Sequence, residues 1–233
     1  AGFTSTFQNS ISECKGEFVA LCDQDDSWQP EKIETLLKNM GDADAIYSNS
    51  VLIDEEDKFL GKDYKSVSHL KSFSNGVPFL MGNNVSGHTM LIRKSFLLKI
   101  LPFPENIMFD RWIAFCAAAG KGLNYVDLPL VNYRQHATNV FGVENLSSTR
   151  LKYSKKENFI KKRNEFLTFI NTPINDENTK QIVKRLFKLF NHRICLQRSL
   201  LFFKYRKDLL AIKKRSLLHQ IFFCVKMFFK PNY

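Results

Sequence analysis

The chain has 233 residues, 44% hydrophobic and 13% aromatic, which supplies a sizeable core and excludes an intrinsically disordered protein. Its formal charge of +11 is unevenly spread: residues 1–150 hold 14 Lys and Arg against 18 Asp and Glu, a net of −4, whereas residues 151–233 hold 20 against 5, a net of +15. Five cysteines (Cys14, Cys22, Cys116, Cys195, Cys224) without a C-x-x-C pair exclude a zinc knuckle and a disulfide framework, and a reducing cytoplasmic compartment is expected. The opening "AGFTSTFQNS" lacks the basic and apolar regions of a signal peptide, and no run reaches the roughly 18 to 20 apolar residues of a membrane span.

In chain order, Phe3, Phe7 and Ile11 recur at helical spacing up to Gly16, and "EFVALC" follows as a short apolar strand. Pro30 suits the first turn of a second helix, whose apolar stripe is Ile33, Leu36, Leu37 and Met40 and whose stop is Gly41. "DAIYSNSVLID" reads as a strand, residues 61–87 as an irregular loop with a helical turn inside it, and "HTMLIRK" as a strand again. "SFLLKIL" is a short helix, "FDRWIAFCAAAGKG" a longer one ending in glycine, and "LNYVDLPLVNYRQH" a strand and turn. Beyond about residue 147 the pattern is helical, with Ile182, Leu186, Phe190 and Ile194 on one stripe and "KRSLLHQIFFCVKMFFK" near the end. Alternating strands and helices predict an α/β domain over residues 1–146, with its ligand crevice at the carboxyl ends of the strands. A basic, amphipathic helical extension is expected over 147–233.

The densest chemistry lies in "ALCDQDDSWQPEKIE", where Asp23, Asp25 and Asp26 follow an apolar strand. Three carboxylates brought together repel one another, and a divalent cation removes that penalty. With no His or Cys beside them in sequence, the all-oxygen set points to Mg²⁺ or Mn²⁺. A solvated turn, or an Asp23 helix cap, is the plainer alternative for a D-x-D in isolation. Asp110, before "RWIAF", is on residue type alone a helix N-cap.

"GEFVALCDQDDSWQPEKIETLL" resembles the metal-binding segment of GT-A-fold, family 2 glycosyltransferases, in particular the bacterial rhamnosyltransferase-like branch of surface polysaccharide assembly. "GFTSTFQNSI", "NNVSGHTMLIRKSF" and "MFDRWIAFCAAAGKGLNYVDLPLVNYRQHATNVFG" extend the resemblance over roughly residues 1–142, in the family's order. It implies a mixed, Rossmann-like sheet flanked by helices, a nucleotide-sugar donor whose diphosphate meets a divalent ion, and inversion at the anomeric carbon. The metal positions carry over to Asp23 and Asp25, with Asp25 the favoured ligand and Asp26 next. Asp110 carries over as the catalytic base, Phe109 standing where the family often has Glu. Arg134 and His136 of "YRQH" are implied diphosphate contacts, and Gly87, His88, Trp112 and Trp28 are candidates for the acceptor side. The family normally begins with further strands that read the nucleotide base, so an N-terminally truncated fold is expected.

The basic end, with Lys213, Lys214, Arg215, Lys226 and Lys230 among apolar residues at helical spacing, has the composition of an interfacial helix on anionic lipid. The expected partners are a nucleotide sugar, a glycan or polyprenyl-diphosphate-linked acceptor, an anionic membrane surface on the cytoplasmic side and a second copy as a homodimer. No nucleic acid is expected, because no recognition motif accompanies the charge. The alternative function is a catalytically inactive transferase fragment acting as a membrane- or protein-binding module.

Overall fold

A computed structural model describes residues 3–135, 155–192 and 194–229. Helix α1 (Phe3–Glu13) buries Ile11 and stacks Phe7 on Phe109 at 4.7 Å between ring centroids. It leads into β1 (Phe18–Ala20), then β2 (Ser27–Trp28), α2 (Lys32–Met40) and β3 (Ala45–Ile53). Leu36 and Met40 of α2 are buried as its periodicity predicts, Leu37 faces solvent, and Gly41 ends the helix at φ +54°, a conformation that suits a residue without a Cβ.

The predicted loop over 61–87 contains more order than its composition suggests. It continues β4 (Phe59–Asp63), then forms the short helix α3 (Tyr64–Val67) and a 3-10 turn at Val77–Leu80. Asp63 caps α3 by accepting from Ser66 N, which explains where the helical turn starts. Strand β5 (Met90–Arg93), helix α4 (Lys94–Leu97), helix α5 (Phe109–Ala119) and strand β6 (Leu123–Arg134) follow as expected.

The sheet order is β1-β5-β3-β6-β2, with β4 also paired to β3. β3 is parallel to β6 (Ala45 opposite Leu123) and antiparallel to β5 (Ala45 opposite Ile92), while β1 is antiparallel to β5 (Val19 opposite Ile92). β1, β3 and β6 therefore end on one side of the sheet, and β5, running the other way, begins there. β1 and β2 occupy opposite edges, so the acidic stretch between them crosses that end of the sheet. This mixed sheet flanked by helices is the predicted fold class.

The helical part comprises α6 (Lys155–Ile170), α7 (Glu177–Leu189), α8 (Leu196–Lys204), α9 (Arg206–Leu209) and α10 (Leu217–Lys226). It shares one continuous core with the sheet part: Phe169 of α6 packs on Phe115 and Trp112 of α5 at 4.3 and 6.2 Å, and Ile182, Leu186 and Phe190 join the same cluster. Ile194, the last residue of the predicted stripe, is exposed instead. The 146/147 division falls outside the described residues, and the two sides do not have separate cores. No helix among the described residues is long and apolar enough to cross a membrane.

Candidate active site

The topology explains which side chains meet. The acidic stretch crosses the carboxyl ends of β1, β3 and β6, and the reversed strand β5 delivers its leading residues to the same place. His88, two residues before β5, sets its Nδ1 3.2 Å from Asp23 Oδ2 and 3.0 Å from Asp26 Oδ2. One ligand atom from each of Asp23, Asp26 and His88 can be chosen so that all lie within 4.8 Å of one another. Tyr133 of β6 closes one side, its ring centroid 4.6 Å from that of His88.

Asp26 has a fully buried side chain, and its Oδ1 accepts from Arg134 N at 3.0 Å. Burial pushes its carboxyl up, against the opposing influence of His88 and the Arg134 amide. His88 Nε2 is buried without a hydrogen-bond partner, and Asp26 Oδ2, also buried, has the His88 Nδ1 contact but no aligned hydrogen bond. Leaving such atoms unsatisfied costs about 1–3 kcal/mol each, and natural structures keep this state where a ligand completes the set. Two carboxylates and an imidazole are also a donor set for a divalent transition ion such as Mn²⁺. These residues therefore fit a metal.

Lys32 is completely buried beside them. Its Nζ donates to the His88 carbonyl at 2.7 Å and lies 3.5 Å from the centroid of the Trp28 ring, so the lysine fixes the backbone that carries His88. Burial pushes its ammonium down to about 7, with Cys22, Asp26 and Asp23 acting in the opposite sense.

Asp110 occupies the first turn of α5, and its Oδ1 accepts from the Arg111 amide at 2.5 Å. Removal from water pushes its carboxyl up to about 6, Arg111 and His88 draw it down, and Asp23 raises it further. Asp110 thus lies within electrostatic reach of the Asp23–Asp26–His88 group. Tyr64 of α3 is in reach of Asp110, and burial raises its phenol. Gly87 lets the backbone pass close to α5: a Cβ there would stand 3.1 Å from the Phe109 ring.

The model of Glycosyl transferase family 2 matches residues 2–101, a span that holds Asp23, Asp26 and His88 and stops short of Asp110. The matched span is under half of the chain, and over it the chain is similar to glycosyl transferase family 2. An uncharacterized glycosyltransferase of Methanocaldococcus jannaschii, MJ1057, is 26% identical over 132 residues, 54% of this chain and 44% of that protein, so the match spans under half of the relative. Among solved structures, S. aureus TarS 1-349 in complex with UDP-GlcNAc has a TM-score of 0.47 and 12% identity, over 94% of this chain and 60% of that one. TarS 1-349 in complex with UDP gives a TM-score of 0.44 at 14% identity, over 94% and 57%.

The structure revises several sequence expectations. The clustered carboxylates are Asp23 and Asp26, not Asp23 and Asp25; the Asp25 carbonyl instead accepts from Arg134 Nε at 2.9 Å. His88, expected on the acceptor side, faces the two aspartates, so the group they form is not all-oxygen. Trp112 is no sugar platform: it is 4% exposed and donates its indole N–H to the Ile100 carbonyl at 3.0 Å. Trp28 gives its ring to the Lys32 ammonium.

Arg134 was expected on a diphosphate. Its guanidinium instead donates to the carbonyls of Asp25, Asp54 and Glu55 and pairs with Asp57, tying the acidic stretch to the turn after β3. His136 lies outside the described residues. The sequence signals Lys32 only as a lysine on the helix face that carries Leu36 and Met40.

Proposed function

We propose that the chain transfers a sugar from a nucleotide-diphosphate donor to a hydroxyl of an acceptor, inverting the anomeric carbon. One observation carries this reading: a metal-competent Asp23–Asp26–His88 group stands within electrostatic reach of Asp110, whose carboxyl is raised to about 6. A general base works best when its pKa lies near the working pH. As the acceptor oxygen forms its bond to the anomeric carbon, the hydroxyl proton passes to Asp110 and the C–O bond to the diphosphate breaks, the electron pair leaving with the phosphate oxygen.

Asp23, Asp26 and His88 would hold the ion, which when bound supplies Lewis-acid neutralisation of the departing diphosphate. Lys32 holds the His88 backbone in register, and Arg134 fixes the loop that presents Asp26. In this reading the acceptor is a glycan or polyprenyl-diphosphate-linked glycan of surface polysaccharide synthesis, met at the anionic cytoplasmic face of a membrane.

Donor turnover and calorimetric UDP binding, both with Mn²⁺, test the assignment. Asp26→Asn should abolish metal-dependent UDP binding, and Asp110→Asn should abolish turnover while leaving UDP binding intact. Turnover that survives Asp110→Asn removes the base from the mechanism, and UDP binding indifferent to Mn²⁺ removes the ion.

A further inference from the structure

Away from the active site, α9, the segment after it and the start of α10 meet the loop that follows α3 in a groove of about 690 Å³. Lys71, Arg206, Lys207, Lys213, Lys214 and Arg215 line it, together with His69. Among the described residues, Lys71, Arg206, Lys207, Lys214 and Arg215 have no carboxylate within ion-pairing distance, and Asp208 is the sole acidic residue in the sequence from 206 to 229. The groove is shaped by contacts that do not use those charges: His69 Nδ1 pairs with the Ala211 carbonyl at 2.7 Å, and Ile212 packs where a Cβ on Gly82 would intrude.

Ser216 and Gln220 continue the groove onto α10, whose outward face is apolar. Leu217, Leu218, Phe222 and Val225 are exposed, Leu218 at 78% and Phe222 at 69%, while Cys224 and Met227 hold the opposite face in the core. A row of cations beside an uncovered apolar ridge matches the two layers of an anionic bilayer, phosphate headgroups above acyl chains. We propose that the groove is a phosphate-binding site that seats the headgroup of an anionic phospholipid while the ridge of α10 enters the acyl boundary. It rests on the membrane-surface part of the reading above and not on its chemistry.

Flotation of the whole chain with vesicles of phosphatidylcholine, alone or mixed with phosphatidylglycerol, is the test. Binding is expected to the mixed vesicles and to be weak on the neutral ones. Each groove cation contributes about fivefold in affinity, so Lys214→Gln combined with Arg215→Gln should weaken binding to the mixed vesicles by about 25-fold, with an unchanged circular-dichroism melt. Leu218→Ser with Phe222→Ser should weaken it through the ridge, with the groove charges intact. Equal binding to neutral vesicles, or no change in the charge variant, overturns the proposal.

Inorganic pyrophosphate held by the groove without vesicle binding would make it a site for soluble phosphates, and a stable dimer that does not float would assign the ridge to a second copy. Either result overturns the lipid assignment. Mn²⁺-dependent UDP binding, measured on the same samples, separates the two readings. Intact UDP binding without flotation fells only the surface site, and flotation without UDP binding fells only the transfer chemistry.

Discussion

Buried charge is handled in opposite ways in the sheet half and the helical half. In the helical half Arg198 is fully buried, yet its guanidinium donates to the carbonyls of Leu189, which ends α7, and of His192, and to those of Met227, Phe228 and Phe229 after α10. Lys162 donates to the Leu80 carbonyl at 2.6 Å and shares Glu165 with Arg111; burial pushes Lys162 down to about 8, while Glu165 is held low by its two cations despite its own burial. In the sheet half Asp26 and His88 keep buried polar atoms unsatisfied, and Asp110 is raised towards neutrality. Satisfied buried charge is scaffold, and unsatisfied buried charge at the carboxyl ends of strands is a place prepared for something else.

Substitutions in the two halves should therefore move different observables. The largest effect is expected at Asp110: Asp110→Asn should lower turnover by about 100- to 10,000-fold without lowering the melting temperature. A variant that turns over normally would remove Asp110 from the prepared site. Next, Arg198→Met leaves several helix-end carbonyls without their donor and should lower stability by about 3–5 kcal/mol in a single thermal transition. Two separate transitions would contradict the shared core.

A pH titration sharpens the contrast. Asp110 has a folded pKa near 6 against an ordinary value near 4. The folded state therefore holds a proton that the unfolded chain releases between these values, and stability falls as pH rises through that window. Asp110→Asn escapes the penalty, so its stability advantage should be absent near pH 4 and reach about 2–3 kcal/mol above pH 6. If Asp110 is the proposed base, turnover should fall as pH drops through about 6, where its carboxyl takes up a proton. An advantage independent of pH would show that its carboxyl is not raised. The smallest effect belongs to the exposed ridge: Leu218→Ser should change stability by no more than about 0.5 kcal/mol, and a larger loss would mean that α10 is covered in solution.

Much of the sheet half was legible in the sequence because local period decides it. β3 and β6, the α2 stripe and the Gly41 stop all follow from spacing within a dozen residues. The acidic stretch stood out for the same reason: like charges after an apolar run are a local anomaly. His88 was visible as a residue but not in its role, because it meets Asp23 from 65 positions away through the reversal of β5, and sheet order is not written in any window. The grouping of Asp26 with Asp23 has a similar origin. D-x-D spacing cannot say which carboxylate turns inward, and the Arg134 contacts that turn the loop come from more than a hundred residues on. Trp112 misled because an aromatic beside a candidate base looks like a platform until helix phase points it at Phe169.

Arg111 follows Asp110 directly, and its guanidinium reaches the Phe79 and Leu80 carbonyls on one side and Glu165 of α6 on the other. A chain ended before Lys155 would strip that arginine of its anion and uncover Phe115 and Trp112 together. The unit that holds Asp110 in place thus extends past residues 2–101 and takes in at least Glu165 and Phe169 of α6.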